Sequence, residues 1–244
     1  MNVWQNKMPK VSIVIPFYNC PYIDQAIESA LNQSYPCTEI LVINDGSTRY
    51  KEKVVPYFNH IRYVEKANGG TASALNCGIQ HATGEYFTWL SSDDLYKRDK
   101  VAKQVSLMQQ NNAHVSYTSF FFMNSNNQYM GSPGQVKFAN KIEFYQTMLK
   151  GCPINGCTVM LKMEVFSKVG LFDVTLRYTQ DYDMWLRVLQ KYEFYYLDEP
   201  LVLYRVHEEM GTKKYAREIP LEINLVQQRH RAALERLIAE ELKK

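Results

Sequence analysis

No apolar run in this 244-residue sequence approaches the ~18–20 residues that a helix needs to cross a bilayer. The opening residues include Asn2, Gln5, Asn6 and Lys7 and lack the apolar stretch of a secretory signal. Cysteine is sparse and unpaired by pattern: the five residues are an odd number with no Cys-x-x-Cys, which argues against a disulfide framework. Cys152 and Cys157 have a spacing that permits a bridge, but without an export signal free thiols are the expectation. Charge of one sign is lacking too. Lys and Arg number 28 against 25 Asp and Glu, a formal net charge of +3 with no basic run beyond pairs such as Lys213-Lys214, which excludes a nucleic-acid partner. His60, His81, His114 and His230 show no metal-ligand spacing with one another. These absences leave a cytoplasmic protein as the expectation.

What is present suits one α/β domain with a small C-terminal appendage. Apolar residues make up 46% and charged residues 22%, enough to bury a core and too balanced for disorder. Val11 to Ile15, Glu39 to Ile43, Ile61 to Glu65 and Tyr86 to Leu90 read as buried strands. Between them, Tyr22 to Gln33, Lys51 to Phe58 and Thr71 to His81 have helical spacing, and Asp99 to Asn111 follows as an amphipathic helix. Strand and helix alternating over short connections predict a mostly parallel, Rossmann-like sheet with helices on both faces. Beyond residue 112 the pattern loosens. Val115 to Met123 is a strand pattern, Asn124 to Pro133 a polar turn region, and Ile142 to Lys150 helical. A strand at Thr158 to Lys162, helices at Glu164 to Val169 and Asp181 to Lys191, and strands at Tyr195 to Leu197 and Leu201 to Arg205 follow. An amphipathic helix from Leu221 to Leu242 closes the chain.

Ligands of open parallel sheets bind beyond the carboxyl ends of the strands. Four such ends carry polar or glycine-containing groups: Pro16-Phe17-Tyr18-Asn19, Asn44-Asp45-Gly46-Ser47, Asn68-Gly69-Gly70 and Ser91-Ser92-Asp93-Asp94. Each alone is weak; four in register point to a nucleotide-sized ligand. Asp93 and Asp94 repel each other after a buried strand, and a hard divalent cation shared with a diphosphate would neutralise them. Their plainer use is to cap the next helix. Asp45 sits in what is otherwise an ordinary turn, yet a carboxylate there would read the N–H edge of a base. Asn68-Gly69-Gly70 opens a helix and would turn backbone N–H groups to phosphate, although it matches neither the P-loop nor the dinucleotide fingerprint. Asp181 and Asp183 stand at i and i+2 at a helix start, where acids commonly offset the helix dipole. Pointing to different faces, one would serve a cleft as general base while the other caps or pairs with Arg187. His207, in Tyr204-Arg205-Val206-His207, is by itself an ordinary structural or surface histidine.

Taken in order, several segments resemble family 2 glycosyltransferases of the GT-A fold, inverting enzymes that use nucleotide-diphosphate sugars. They are Val11 to Asn19, Glu39 to Thr48, Asn68-Gly69-Gly70 through Ile79, Gly84-Glu85-Tyr86 through Asp94, Gly170 to Asp173, Gln180 to Arg187 and Tyr204 to His207. The resemblance implies that Pro16, Phe17, Tyr18, Asn19, Asp45 and Asn68 line the nucleotide site. It places Asp93 on the ribose and metal, Asp94 on manganese or magnesium, His207 near the diphosphate or metal, and Asp181 as general base. Asn44, Ser91 and Gln180 depart from the family's usual acids at those positions; only Ser91 thins the carboxylates around the metal.

The resemblance divides the chain into a nucleotide-sugar half (residues 1–112), an acceptor and catalytic half (113–212) and the C-terminal helix (213–244). The implied partners are a nucleotide-sugar donor, with UDP as the expected nucleotide, and a glycan or lipid-linked acceptor. Peripheral contact with the inner face of a membrane and a homodimer through the C-terminal helix stay open. Packing or self-association of that helix is favoured over a membrane surface, because its polar face mixes both signs. A sugar-nucleotide binder that has lost catalysis is the alternative; a nucleotidyltransferase would need a glycine-rich basic segment that Pro16-Phe17-Tyr18-Asn19 does not supply.

Overall fold

A computed structural model describes residues 8–134 and 136–244. Its first half follows the alternation closely. The elements are β1 (Val11–Phe17), α1 (Ile23–Leu31), β2 (Thr38–Asp45), β3 (Arg62–Lys66), α2 (Gly70–His81) and β4 (Tyr86–Trp89). The expected helix between β2 and β3 is two short 3-10 turns, Lys51–Lys53 and Val55–Tyr57. Next come β5 (Leu95–Tyr96), α3 (Lys100–Gln110), β6 (Val115–Met123), β7 (Tyr129–Gly134), α4 (Lys141–Met148) and β8 (Met160–Lys162). The chain ends with α5 (Glu164–Val169), α6 (Gln180–Leu189), β9 (Phe194–Arg205), α7 (Gly211–Lys214) and α8 (Ile219–Glu241).

The strands form one nine-stranded sheet in the order β3-β2-β1-β4-β8-β6-β9-β5, with β7 also on β6. The pairs from β3 to β4 are all parallel. Strands β1 and β2 are buried over most of their length, as helices on both faces require. Their register levels the carboxyl ends: Phe17 lies opposite Asn44, Asp45 opposite Lys66 and Val14 opposite Trp89. The polar loops therefore emerge along one rim. Past β4 the sheet is mixed, with β8 antiparallel to β4 and β6, and β9 parallel to β6.

Two differences from the sequence reading have local causes. The segment taken as a polar turn contains β7, whose exposed residues Tyr129 to Ser132 carry no burial signal. The two final strands are one, β9, because shifts in its register against β6 near Pro200 interrupt the pattern without ending the pairing. Helix α8 lies on α4 and α6, burying Val226, His230 and Leu234. Among the described residues no helix is long and apolar enough to cross a membrane.

Candidate active site

At the rim, the loop after β1 is tied to the loop after β2. Asn19, at φ 49°, accepts at Oδ1 from the backbone N–H groups of Thr48 and Arg49, both at 2.8 Å. Ser47 Oγ accepts from Asn19 N at 3.1 Å and donates to the Phe17 carbonyl. Tyr18 is exposed, whereas the Phe17 side chain is wholly buried in the core. Phe17 was expected to line the nucleotide site; its side chain anchors the loop from beneath.

Asp45 already has partners within the protein. Its carboxylate receives Lys66 Nζ at 2.6 Å and the N–H groups of Gly69 and Gly70, the latter at 2.8 Å. Asn68 Nδ2 donates to the Asp45 carbonyl at 2.8 Å. The glycine amides, read from sequence as phosphate donors, thus turn to Asp45. Lys66, Gly69 and Gly70 together give each carboxylate oxygen two donors, so the buried Asp45 is fully engaged within the protein.

Asp93 and Asp94 leave β4 together and point to different surroundings. Asp94 is 1% exposed; Oδ1 accepts from Arg205 N at 2.8 Å and Oδ2 from the Cys157 thiol at 3.3 Å. Burial, then the adjacent Asp93 charge, pushes its carboxyl well above the ordinary range. Asp93 keeps its side chain partly open, with Oδ2 3.0 Å from His207 Nε2. The accessibility is therefore opposite to the expected division, in which Asp94 met the metal. Beneath them the fully buried Arg205 donates from Nε to the Asp93 carbonyl at 2.6 Å and from Nη2 to Gln25 at 2.9 Å. Its guanidinium lies 4.1 Å from the centroid of the Tyr22 ring. Neither Arg205 nor Cys157 was given a role from sequence; the contacts of both with the acids after β4 span more than 60 residues and leave no local signal.

The second acidic group sits on α6. Asp181 is half-buried, its carboxylate accepting from Tyr182 N at 2.8 Å, and burial raises it to about 6. Asp183 turns the other way, 2.8 Å from Arg187 Nε and 2.9 Å from both Arg229 and His230, as the i, i+2 offset predicts. One loop joins the two groups. Cys157 touches Asp94 and Ser91, while half-buried Cys152, five residues earlier, feels the Asp181 charge. Gly156 lets this loop lie on Trp89: an added Cβ would stand 2.4 Å from the ring.

A polar rim at the strand ends is thus joined by one loop to an acid raised by burial. Residues 12–170 match the model of Glycosyl transferase family 2. The chain belongs to this family. An uncharacterized glycosyltransferase of Rickettsia typhi is 40% identical over 210 residues, covering 84% of this chain and 66% of that protein. Other rickettsial relatives are longer, and the chain spans 31–36% of them. The UDP-Glc:alpha-D-GlcNAc-diphosphoundecaprenol beta-1,3-glucosyltransferase WfaP of Escherichia coli is 30% identical, over 75% of this chain and 72% of its own. The crystal structure of S. aureus TarS in complex with UDP-GlcNAc superposes with TM-score 0.68 at 19% identity, over 82% of this chain and 60% of that one. The chain therefore has the GT-A fold, an α/β domain whose mostly parallel sheet is flanked by helices.

Among the described residues of this family 2 member, no group of three or more His, Cys, Asp or Glu side chains is set to hold a metal ion. The Asp93–His207 pair offers one carboxylate and one imidazole. That donor set fits a cation that arrives with a diphosphate, since magnesium commonly takes one or two carboxylates and completes its shell with phosphate and water.

Proposed function

We propose that the protein is an inverting transferase that moves a sugar from a UDP-sugar to a hydroxyl of a glycan or lipid-linked acceptor, with Asp181 as general base. The observation that carries this reading is Asp181 itself: an acid raised to about 6, bonded to its own helix start, and joined by one loop to the acids at the sheet rim. At neutral pH such a group is ionised and basic enough to take the acceptor proton. The oxygen then attacks the anomeric carbon from the side away from the diphosphate, which inverts the configuration. Asp45 accepts from the base ring in exchange for one of the lysine or glycine bonds that hold it in the free protein. Asp93 and His207 would hold manganese or magnesium, which would supply positive charge for the departing diphosphate. Support for the nucleotide and acceptor classes comes from the UDP-GlcNAc bound by TarS and the UDP-Glc and lipid diphosphate in the name of the E. coli relative. Peripheral membrane contact and work on the inner face of the membrane belong to the same proposal.

The test measures UDP release from UDP-Glc and UDP-GlcNAc, with manganese and a GlcNAc-diphospholipid acceptor. Asp181→Asn should lose about 10²–10⁴-fold in kcat while binding UDP normally by calorimetry. In the wild type, kcat/KM should decline as pH drops below about 6, where Asp181 protonates. Near-normal turnover by the Asp181→Asn variant would remove the mechanism.

A further inference from the structure

Helix α6 begins without a cap of its own: Thr179, at its N-cap position, makes no side-chain capping bond. The groups there are satisfied from 43 residues away in sequence. Glu222 Oε1 on α8 accepts from Arg177 N at 2.8 Å. Its Oε2 accepts from Tyr178 N and Thr179 N at 2.8 Å and from Thr179 Oγ1 at 2.9 Å. The carboxylate thus takes up the free N–H groups just before the helix and sets a negative charge at its positive end. Two residues past Asp181, the same α8 grips Asp183 through Arg229 and His230, each 2.9 Å away. Asp181 is therefore bracketed on both sides by bonds to one helix that lies outside the matched residues 12–170.

We propose that Glu222 is a positioning residue for the transfer step, holding the 177–179 segment so that the Asp181 carboxylate stays aimed at the acceptor. The inference rests on Asp181 being the general base. Three backbone bonds from one carboxylate leave this segment a single conformation, and a base displaced by an ångström loses much of its effect on a proton in flight. The charged and titratable groups that face Asp181 from elements packed against α6 are Glu222 on α8 and Cys152 on the loop after α4. Of these, Glu222 opposes ionisation of Asp181 as a like charge, so the residue that aims the base also keeps it basic.

The test compares Glu222→Ala and Glu222→Gln with the wild type on whichever of UDP-Glc and UDP-GlcNAc the wild type turns over faster. UDP affinity and thermal melting are measured in parallel, and Asp181→Asn serves as reference. Glu222→Ala should lower kcat by about 10–100-fold with donor KM and UDP affinity within about twofold of wild type. Glu222→Gln keeps one acceptor oxygen and loses the charge, so its kcat loss should be smaller and the acid limb of its pH–rate profile should move to lower pH. Unchanged kcat and an unmoved acid limb in both variants, with Asp181→Asn inactive, overturn the role of Glu222 alone. Losses in kcat matched by equal losses in UDP affinity and melting temperature also overturn it, since they mark a structural residue. An active Asp181→Asn variant instead removes the base assignment and this inference with it.

Discussion

Asp183 carries the largest residue-scale consequence for stability. Burial by itself pushes its carboxyl up, but His230, Arg187 and Arg229 outweigh that and hold it at about 2, below an ordinary value of 3.8. A carboxylate depressed in the folded state stabilises above its unfolded pKa, and that contribution fades as pH falls through the folded one. The difference corresponds to about 2 kcal/mol at neutral pH. Asp183→Asn should therefore lower unfolding free energy by about 2 kcal/mol at pH 7 in urea titrations, with the gap to wild type narrowing from pH 4 toward about 2. A gap that stays constant over that range would show that shape, not charge, is what the substitution removes. The split between Asp181 and Asp183 was legible because a helix has a period, and so was the Arg187 pairing. Arg229 and His230 were not, being more than 40 residues away in sequence. Nor were the opposite fates of Asp93 and Asp94, because a loop has no period from which to read direction; the inward turn of Phe17 was missed because β1 runs past Pro16, where the apolar run breaks.

At the scale of elements, the parallel half of the sheet was legible to within a residue or two, since β1, β2 and β4 are continuous apolar runs ended by polar loops. What failed was whatever lacks that signal: β5 has two residues, and β7 is exposed along most of its length. Contact between elements was invisible as well, and α2 against β1 shows why it matters. A Cβ on Gly78 would stand 2.3 Å from Val14 Cγ1 and 2.9 Å from Cγ2, so this glycine lets the helix approach the strand. Alanine gains about 1 kcal/mol of helix propensity. Overpacking against a buried strand costs about 1–3 kcal/mol, so a net loss is expected for Gly78→Ala. Because the conflict is with one side chain, Val14→Ala in the same protein should recover part of it. A double-mutant cycle in guanidinium should give a favourable coupling of about 1 kcal/mol. Strict additivity would place the strain elsewhere.

The site belongs to the molecule as a whole, because its candidate residues run from Pro16 to His207 and no single element contains it. The sequence order of the motifs revealed the shared rim; the seat of α8 stayed hidden, since an amphipathic helix names the face it buries and not its partner. A ligand held by β1, β2, β4 and β9 loops must stabilise the native state against global unfolding, provided it ignores the unfolded chain. At about 100 times Kd the gain is about 2.7 kcal/mol, which for a domain of this size raises Tm by roughly 5–10 °C. UDP with manganese should produce that shift, and UDP alone a smaller one at the same concentration, because the diphosphate then meets Asp93 without a cation between them. In Asp93→Asn the two curves should draw together, as the charge that makes the cation necessary is gone. Melting curves of the wild type that coincide with and without manganese would mean that Asp93 and His207 hold no cation when UDP binds, and the diphosphate would then depend on protein groups alone.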